Sequence, residues 1–330
     1  MSGPRPLGSG PRPLGSRDEA VRAGRRRVRI SHADRVMFPD AGLTKLDLAR
    51  HYAAVAGAML PHVRGRPLAL QSFPQGVEGD GYFVKDAPAH FPDWIATVPV
   101  PKREGGTIRH VLARDAATLV YLAGQNVITP HVWTSRADRL ERPDRLIFDL
   151  DPSTQQFGQV RAAARTLGDL LRDLGLEPFA MTTGSRGLHV VTPLRRTAGF
   201  EEVHGFARAV AEALVASDPE GLTVAFRKAD RGKRIFVDVN RNAYGQHAVA
   251  PYAVRARPSA PVATPLRWEE LGDDALDPQG WTIETIGDRL ADGGDPWRGI
   301  AGRARALGGA RRALERRVRS PRGRTGNTVA

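Results

Sequence analysis

The 330-residue sequence predicts an α+β fold, with a mixed, largely antiparallel sheet flanked by helices. Three observations lead there. Strand-length apolar runs and helix-period stretches follow one another without the strict alternation of a parallel α/β protein. Two of the strand-length runs end in acids, at Asp149–Asp151 and at Asp238. A hydrophobic share of 41% beside a charged share of 26% suits a globular chain that buries a core.

The elements follow from local signals. Residues 3–9 (GPRPLGS) repeat as 10–16, and such a Gly-, Pro- and Arg-rich segment cannot bury a core. Residues 1–27 are therefore expected to be a disordered basic tail. Thr44 reads as the N-cap of a helix through about Leu60, with Leu46, Leu48, Tyr52, Val55 and Met59 spaced for one face. Asp115–Gly124 reads as a short helix and Val127–Trp133 as a strand. Arg145–Leu150 is a strand stopped by Asp151-Pro152, and Val160–Leu174 is helical. Phe179–Thr183 and Leu188–Thr192 are strands around a Gly184-Ser185-Arg186-Gly187 turn. Phe200–Ala216 is a helix, Arg234–Val239 a strand, and Trp281–Leu290 holds the last core helix. The folded part is placed at 28–297. Residues 298–330 are read as an Arg-rich disordered tail; a short helix can form over Arg311–Val318, but nothing in the composition predicts its packing.

The net charge of +13 is unevenly spread. Residues 1–30 carry +6 and residues 298–330 carry +9, which leaves residues 31–297 at −2. Arg-rich ends attract phosphate backbones without reading sequence, or simply keep a protein soluble. The chain has no cysteine, which excludes disulfides, thiolate metal sites and Cys nucleophiles and fits a cytoplasmic protein. No apolar run approaches the ~20 residues that span a bilayer, and the N-terminus lacks the apolar region of a secretory signal.

Four constellations carry chemistry. In Phe148-Asp149-Leu150-Asp151-Pro152, strand alternation puts Asp149 and Asp151 on one face. Two carboxylates so placed repel unless a cation lies between them, and hard cations take such oxygens. The plain alternative is a pair of surface acids at a strand end. In Phe236-Val237-Asp238-Val239-Asn240, a third acid ends a second apolar strand; beside the first two it would complete a two-metal site, and otherwise it caps a turn. In Thr182-Thr183-Gly184-Ser185-Arg186-Gly187-Leu188-His189, a glycine-flanked turn can aim backbone N–H groups, Ser185 and Arg186 at an anion, or be an ordinary hairpin. Arg231, Lys233, Arg234, Arg241, Arg255 and Arg257 surround Asp238 in sequence; guanidinium forks grip phosphate, and a solvated charged edge is the alternative.

Together and in this order, these pieces resemble the polymerase domain of bacterial DNA ligase D, the primase-polymerase module of non-homologous end joining. The resemblance runs from about Ser31 to Trp297. It also rests on His32-Ala33-Asp34-Arg35-Val36-Met37-Phe38-Pro39, Leu43-Thr44-Lys45, Tyr82-Phe83-Val84-Lys85, Ile128-Thr129-Pro130-His131 and Ala250-Pro251-Tyr252-Ala253-Val254-Arg255-Ala256-Arg257. It implies an archaeo-eukaryotic primase-like catalytic core over 28–297. Asp149, Asp151 and Asp238 match the family's metal triad. His131, Thr183 and His189 match contacts to the incoming nucleotide, and Arg241, Arg255 and Arg257 match the phosphate pocket. Phe83 matches an aromatic near the template and Arg231 a residue near the templating base. Arg35 and Lys45 match the grip on a downstream 5′-phosphate, with Lys85 nearby. The resemblance further implies two Mn²⁺ (or Mg²⁺) ions, NTP or dNTP substrates with ribonucleotides favoured, DNA ends, the Ku end-binding protein and a separate ATP-dependent ligase. It implies a cytoplasmic, nucleoid-associated setting and no membrane. Thr183 and Arg35 stand where the family usually has Ser and Lys, and Ser72 where a basic residue is common. Lys228-Ala229-Asp230-Arg231-Gly232 is faintly similar to the K-x-D-G nucleophile motif of ligases, but its Gly is displaced by one and no other ligase motif accompanies it.

The expected reaction is two-metal phosphoryl transfer that adds a nucleotide to a DNA 3′ end during double-strand-break repair. A DNA-end-binding or synapsis factor with little catalysis, and a primase that starts chains de novo, are the alternatives.

Overall fold

The computed structural model describes residues 17–154 and 156–319. The chain opens with two hairpins, β1 (Glu19–Ala23) with β2 (Arg26–Ile30) and β3 (Val36–Phe38) with β4 (Leu43–Thr44). Helix α1 (Lys45–Val63) follows, then β5 (Leu68–Ser72), β6 (Tyr82–Val84), β7 (Thr97–Pro101) and β8 (Thr107–Val111). Next come α2 (Ala116–Gly124), β9 (Val127–Val132), β10 (Arg145–Asp151), α3 (Phe157–Asp173), β11 (Phe179–Thr182), β12 (Leu188–Pro193) and α4 (Phe200–Ser217). The remainder is β13 (Leu222–Thr223), β14 (Ile235–Asp238), β15 (Ala248–Val249), β16 (Pro265–Leu266), α5 (Ile286–Gly293) and α6 (Leu307–Arg319).

Two six-stranded sheets organise these elements. The first has the order β13-β14-β10-β12-β11-β16 and is antiparallel except for the β13–β14 pair. The second runs β15-β9-β5-β8-β7, with β6 also on β5. Strand alternation divides the residues of the first sheet between two cores. Leu146, Phe148, Leu150, Leu188 and Val190 pack against α3, α4 and α6. Ile147, Met181 and Val191 join the core built on α1, α2 and the second sheet. Asp149 and Asp151 share the face of Ile147, so they point away from the helical layer.

Thr44 caps α1 as its sequence predicts. Its hydroxyl accepts from the Asp47 N–H, and the Asp47 carboxylate accepts from the Thr44 N–H at 2.9 Å, a reciprocal capping box. Leu48, Tyr52, Val55 and Met59 are buried; Leu46 is half-buried.

Both expected tails are shorter than their composition suggests. Residues 19–27 lie in the β1–β2 hairpin, where Val21 and Ala23 are buried with Val28 and Ile30. A two-residue period of small apolar residues is hidden there among arginines. At the other end, α6 packs Leu307, Ala310 and Leu314 into the helical core, so Trp281–Leu290 does not hold the last core helix. The spacing i, i+3, i+7 supplies one apolar face, which eight arginines between 298 and 319 obscure. The seven-residue repeat lies outside the described residues.

Buried imidazoles give the fold a pH limit. His51 Nε2 lies 3.1 Å from the Tyr252 carbonyl oxygen, and burial pushes its pKa down to about 4 against that hydrogen bond. Between pH 6.5 and 4 the unfolded chain binds a proton here that the folded chain does not, so stability falls as pH drops through this window. Melting temperature measured across it is expected to decrease. His51→Gln, which keeps a donor and removes the titration, is expected to flatten the profile by up to ~3 kcal/mol. An unchanged slope would assign the acid sensitivity to other groups.

Candidate active site

The three acids meet on one sheet face. β10 is flanked by β14 and β12, and the register sets Asp149 opposite Asp238 on one side and opposite His189 on the other. Asp151 stands two residues along β10 from Asp149, hence on the same face. Opposed residues of neighbouring strands have Cβ atoms about 4.5–5.5 Å apart. The convergence of Asp238 with Asp149 and Asp151 is thus a property of the backbone pairing.

Each carboxylate takes partners from the protein. Asp149 receives Arg241 Nε at 3.3 Å and has His189 Nε2 at 3.5 Å. Asp151 lies between Arg186 Nη2 at 3.3 Å and Arg231 Nη1 at 3.4 Å. Asp238 accepts from the Asn240 N–H and from Asn240 Nδ2, at 2.8 and 2.7 Å, with Arg241 Nη2 at 3.9 Å. Among the described residues, no three acidic or imidazole side chains are gathered closely enough to hold an ion. The triad expected from the sequence is therefore assembled in register but not closed into a ligand cage. Its donor set still fits a hard divalent cation. Burial pushes the Asp238 pKa up, and the charge of Asp149 adds to this, a repulsion that a cation between them would relieve. Asp149 behaves differently: burial raises its pKa, but His189 and Arg241 outweigh this and bring it to about 2.

These acids form part of the wall of a cavity of about 490 Å³. Of the residues singled out from sequence, Phe83, His131, Thr183, Ser185, His189, Arg231, Arg241, Arg255 and Arg257 also line it. The β11–β12 turn is pinned at both ends. Thr183 and Gly187 exchange backbone and hydroxyl hydrogen bonds, with the Thr183 N–H and hydroxyl donating to the Gly187 carbonyl at 3.0 and 3.1 Å. Gly184 has φ +64°, and a Cβ on it would come within 2.7 Å of Arg255 Cγ, so only glycine allows this approach. Ser185 Oγ accepts from Arg257 Nη2 at 3.1 Å. Arg255 is half-buried, and desolvation brings its pKa down to about 10 despite nearby Asp149, so it stays cationic at neutral pH.

Across the cavity, His131 and Phe83 meet edge to face at 5.1 Å between centroids. His247 closes a triangle with them, at 4.9 Å from Phe83 and 5.1 Å from His131. Burial holds the His131 pKa well below its ordinary value and His247 at about 4, so both rings are neutral and present apolar faces. Arg231 stacks on Phe236 at 3.8 Å and donates to the Phe226 and Ala225 carbonyls.

Arg35, Lys45 and Lys85 do not line this cavity. Arg35 and Lys45 form a pair of their own: the Lys45 N–H donates to the Arg35 carbonyl, while Lys45 Nζ bonds the Ser31 carbonyl at 2.7 Å. Burial, and then Arg35, push the Lys45 pKa down. Lys85 is exposed just beyond Phe83. His247, Gln71 and Phe226 line the cavity without having been singled out, and Lys228, noted only for its ligase-like setting, lines it too. A His beside the short apolar pair Ala248-Val249 and a Phe just ahead of Arg227-Lys228 carry no periodic signal of their own; only the tertiary fold brings them here.

The family model for the LigD primase-polymerase domain matches residues 44–297. The multifunctional non-homologous end joining protein LigD of Pseudomonas aeruginosa is 36% identical over 319 residues, covering 96% of this chain and 37% of that protein. LigD of Mycobacterium tuberculosis is 35% identical over 283 residues, covering 83% of this chain and 37% of that protein. The chain thus spans little more than a third of these relatives. The solved polymerase domain of Mycobacterium tuberculosis ligase D in complex with DNA superposes with a TM-score of 0.77 at 33% identity, over 82% of this chain and 97% of that one.

Proposed function

The chain belongs to the LigD primase-polymerase domain family, and from that premise we propose that it is a nucleotidyltransferase extending a DNA 3′ end in break repair. The observation that carries the proposal is the register pairing Asp149 with Asp238 beside Asp151, in a cavity that Arg241, Arg255 and Arg257 also line. Acids and guanidinium groups lining one cavity suit a substrate that brings both divalent cations and phosphates.

Asp149, Asp151 and Asp238 would hold two Mn²⁺ or Mg²⁺ ions, which when bound would activate the 3′-hydroxyl and offset charge on the departing pyrophosphate. Arg255, with Arg241 and Arg257, grips the triphosphate. Ser185 holds Arg257 in place, and His189 spans Asp149 and the nucleotide. Phe83, His131 and His247 offer neutral ring faces for stacking a base. Thr183 keeps the turn beneath the nucleotide closed. Ribonucleotide preference, action with Ku and sealing by an ATP-dependent ligase belong to the same proposal.

The test is Mn²⁺-dependent incorporation of labelled nucleotide on a gapped duplex carrying a downstream 5′-phosphate. Incorporation that depends on metal and template is expected. DNA binding without any incorporation would leave an end-binding factor instead.

The Arg35–Lys45 pair makes a further prediction. A charge-assisted phosphate contact contributes ~1.5–3 kcal/mol. Arg35→Ala is expected to cut the advantage of 5′-phosphorylated over unphosphorylated gaps by roughly tenfold in kcat/KM. Activity on the unphosphorylated gap should stay near wild type. Equal loss on both substrates would contradict a phosphate-specific role.

A further inference from the structure

We infer that α6 and the segment leading into it form a second, sequence-independent duplex-DNA-binding face outside the catalytic cavity. Residues 298–319 contain eight arginines and one acid, Glu315. All eight arginines are exposed. Arg303, Arg311 and Arg317 pair with carboxylates, whereas Arg298, Arg305, Arg312, Arg316 and Arg319 have none within 4 Å among the described residues. Arg312, Arg316 and Arg319 recur at i, i+4 and i+7, which makes one stripe along the helix. Like charges at that spacing repel, and a polyanion is the ligand that removes the repulsion.

The surface continues beyond the helix. Arg305 pairs with Leu194, its carbonyl accepts from the Arg195 N–H at 2.8 Å, and it shares a cavity of about 540 Å³ with Arg172 and Arg267, three cations against the two acids Glu177 and Glu269. Arg317 bonds Asp173 at 2.9 Å, next to Arg172 in the chain. The basic face is therefore built from three parts of the fold, and it lies at the far end of β12. His189 opposes Asp149 at one end of that strand and Pro193 opposes Arg145 at the other, a separation of ~13 Å along the sheet.

Duplex DNA fits better than a membrane. A surface-seeking helix turns its apolar side outward. Here Leu307, Ala310 and Leu314 are buried against the protein, and the outward side is guanidinium, with Val318 as its exposed large apolar residue. Closely set charges suit a duplex, which presents a phosphate every ~3.4 Å of axis on each strand. Binding there would tether the substrate and raise its effective concentration at the cavity.

The inference stands apart from the polymerase reading and is tested by binding. The probe is a blunt, unphosphorylated duplex, titrated by fluorescence anisotropy between 50 and 200 mM salt. The triple variant Arg305→Gln, Arg312→Gln, Arg316→Gln is expected to bind at least ~10-fold more weakly at the low-salt end. Its log K against log salt slope should be shallower by about 2–3. At saturating gapped substrate its kcat should match wild type, and its melting temperature should be unchanged. The corresponding triple Arg→Lys variant should bind nearly as wild type, since it keeps the charge. Unchanged affinity and slope in the Gln variant would overturn the inference. So would equal loss in the Lys variant, or loss of binding to an acidic polypeptide or anionic vesicles with duplex binding intact. Failure of wild type to incorporate nucleotide would sink the polymerase reading and leave this result standing.

Discussion

Asp149→Ala is expected to reduce nucleotide addition at least ~10³-fold, about 4 kcal/mol of transition-state stabilisation. Asp149 is the middle member of the row Asp238–Asp149–His189 across three strands. It faces Arg241 and His189 at 3.3 and 3.5 Å and helps set the charge of Asp238 and Arg255. Removing it takes away one of the oxygen donors proposed for the cations and frees Arg241 from the cavity wall. DNA binding should survive, since a carboxylate contributes nothing attractive to phosphates. Single-turnover incorporation alongside anisotropy on the same gapped duplex separates the two effects. Extension within tenfold of wild type would mean that the acidic row is a strand-end feature with no part in the chemistry.

Gly187→Ala is expected to damage both stability and activity. A Cβ at Gly187 would press into the Leu150 carbonyl oxygen, with the Leu150 carbonyl carbon at 3.2 Å and Asp151 Cα at 3.6 Å. The crowding carbonyl atoms are backbone, so no rotamer change relieves them. β12 must move off β10 at the point where His189 faces Asp149. Overpacking of this kind costs ~1–3 kcal/mol or more, which for a chain of this size lowers the melting temperature by several degrees. Activity should fall further than unfolding explains, because the displaced pair lies in the cavity. Gly205→Ala is the control. Gly205 is exposed within α4 with nothing near its missing Cβ, so alanine there should be neutral or stabilising by up to ~1 kcal/mol. If both variants melt and react alike, the close approach of Gly187 has no functional weight.

Elements with a strong local signal were readable in advance. Thr44, read as the N-cap of α1, caps it in the structure, and the short helix read over Asp115–Gly124 is present with Asp115 as its cap. Segments where charge masks periodicity are not legible that way. β1 and α6 bury small apolar faces between arginines, and composition weighed more heavily there than spacing. The strands between Leu68 and Val111 carry prolines and short runs that give little periodic signal, and their pairing in the second sheet is a long-range outcome.

By itself the sequence determined that Asp149 and Asp151 share a strand face, that a glycine-bounded turn precedes His189, and that arginines cluster around Asp238. Such features depend on neighbours in the chain, where dihedral periodicity and turn chemistry act. Only the tertiary structure decided that Asp238 stands opposite Asp149 rather than one residue off, which would have turned it to the helical core. It also decided that His247 and Phe226 reach the cavity and that the basic C-terminal segment packs as a helix. Register between strands some ninety residues apart is chosen by burying Leu150 and Val237 together on the other face, and no local pattern contains that choice.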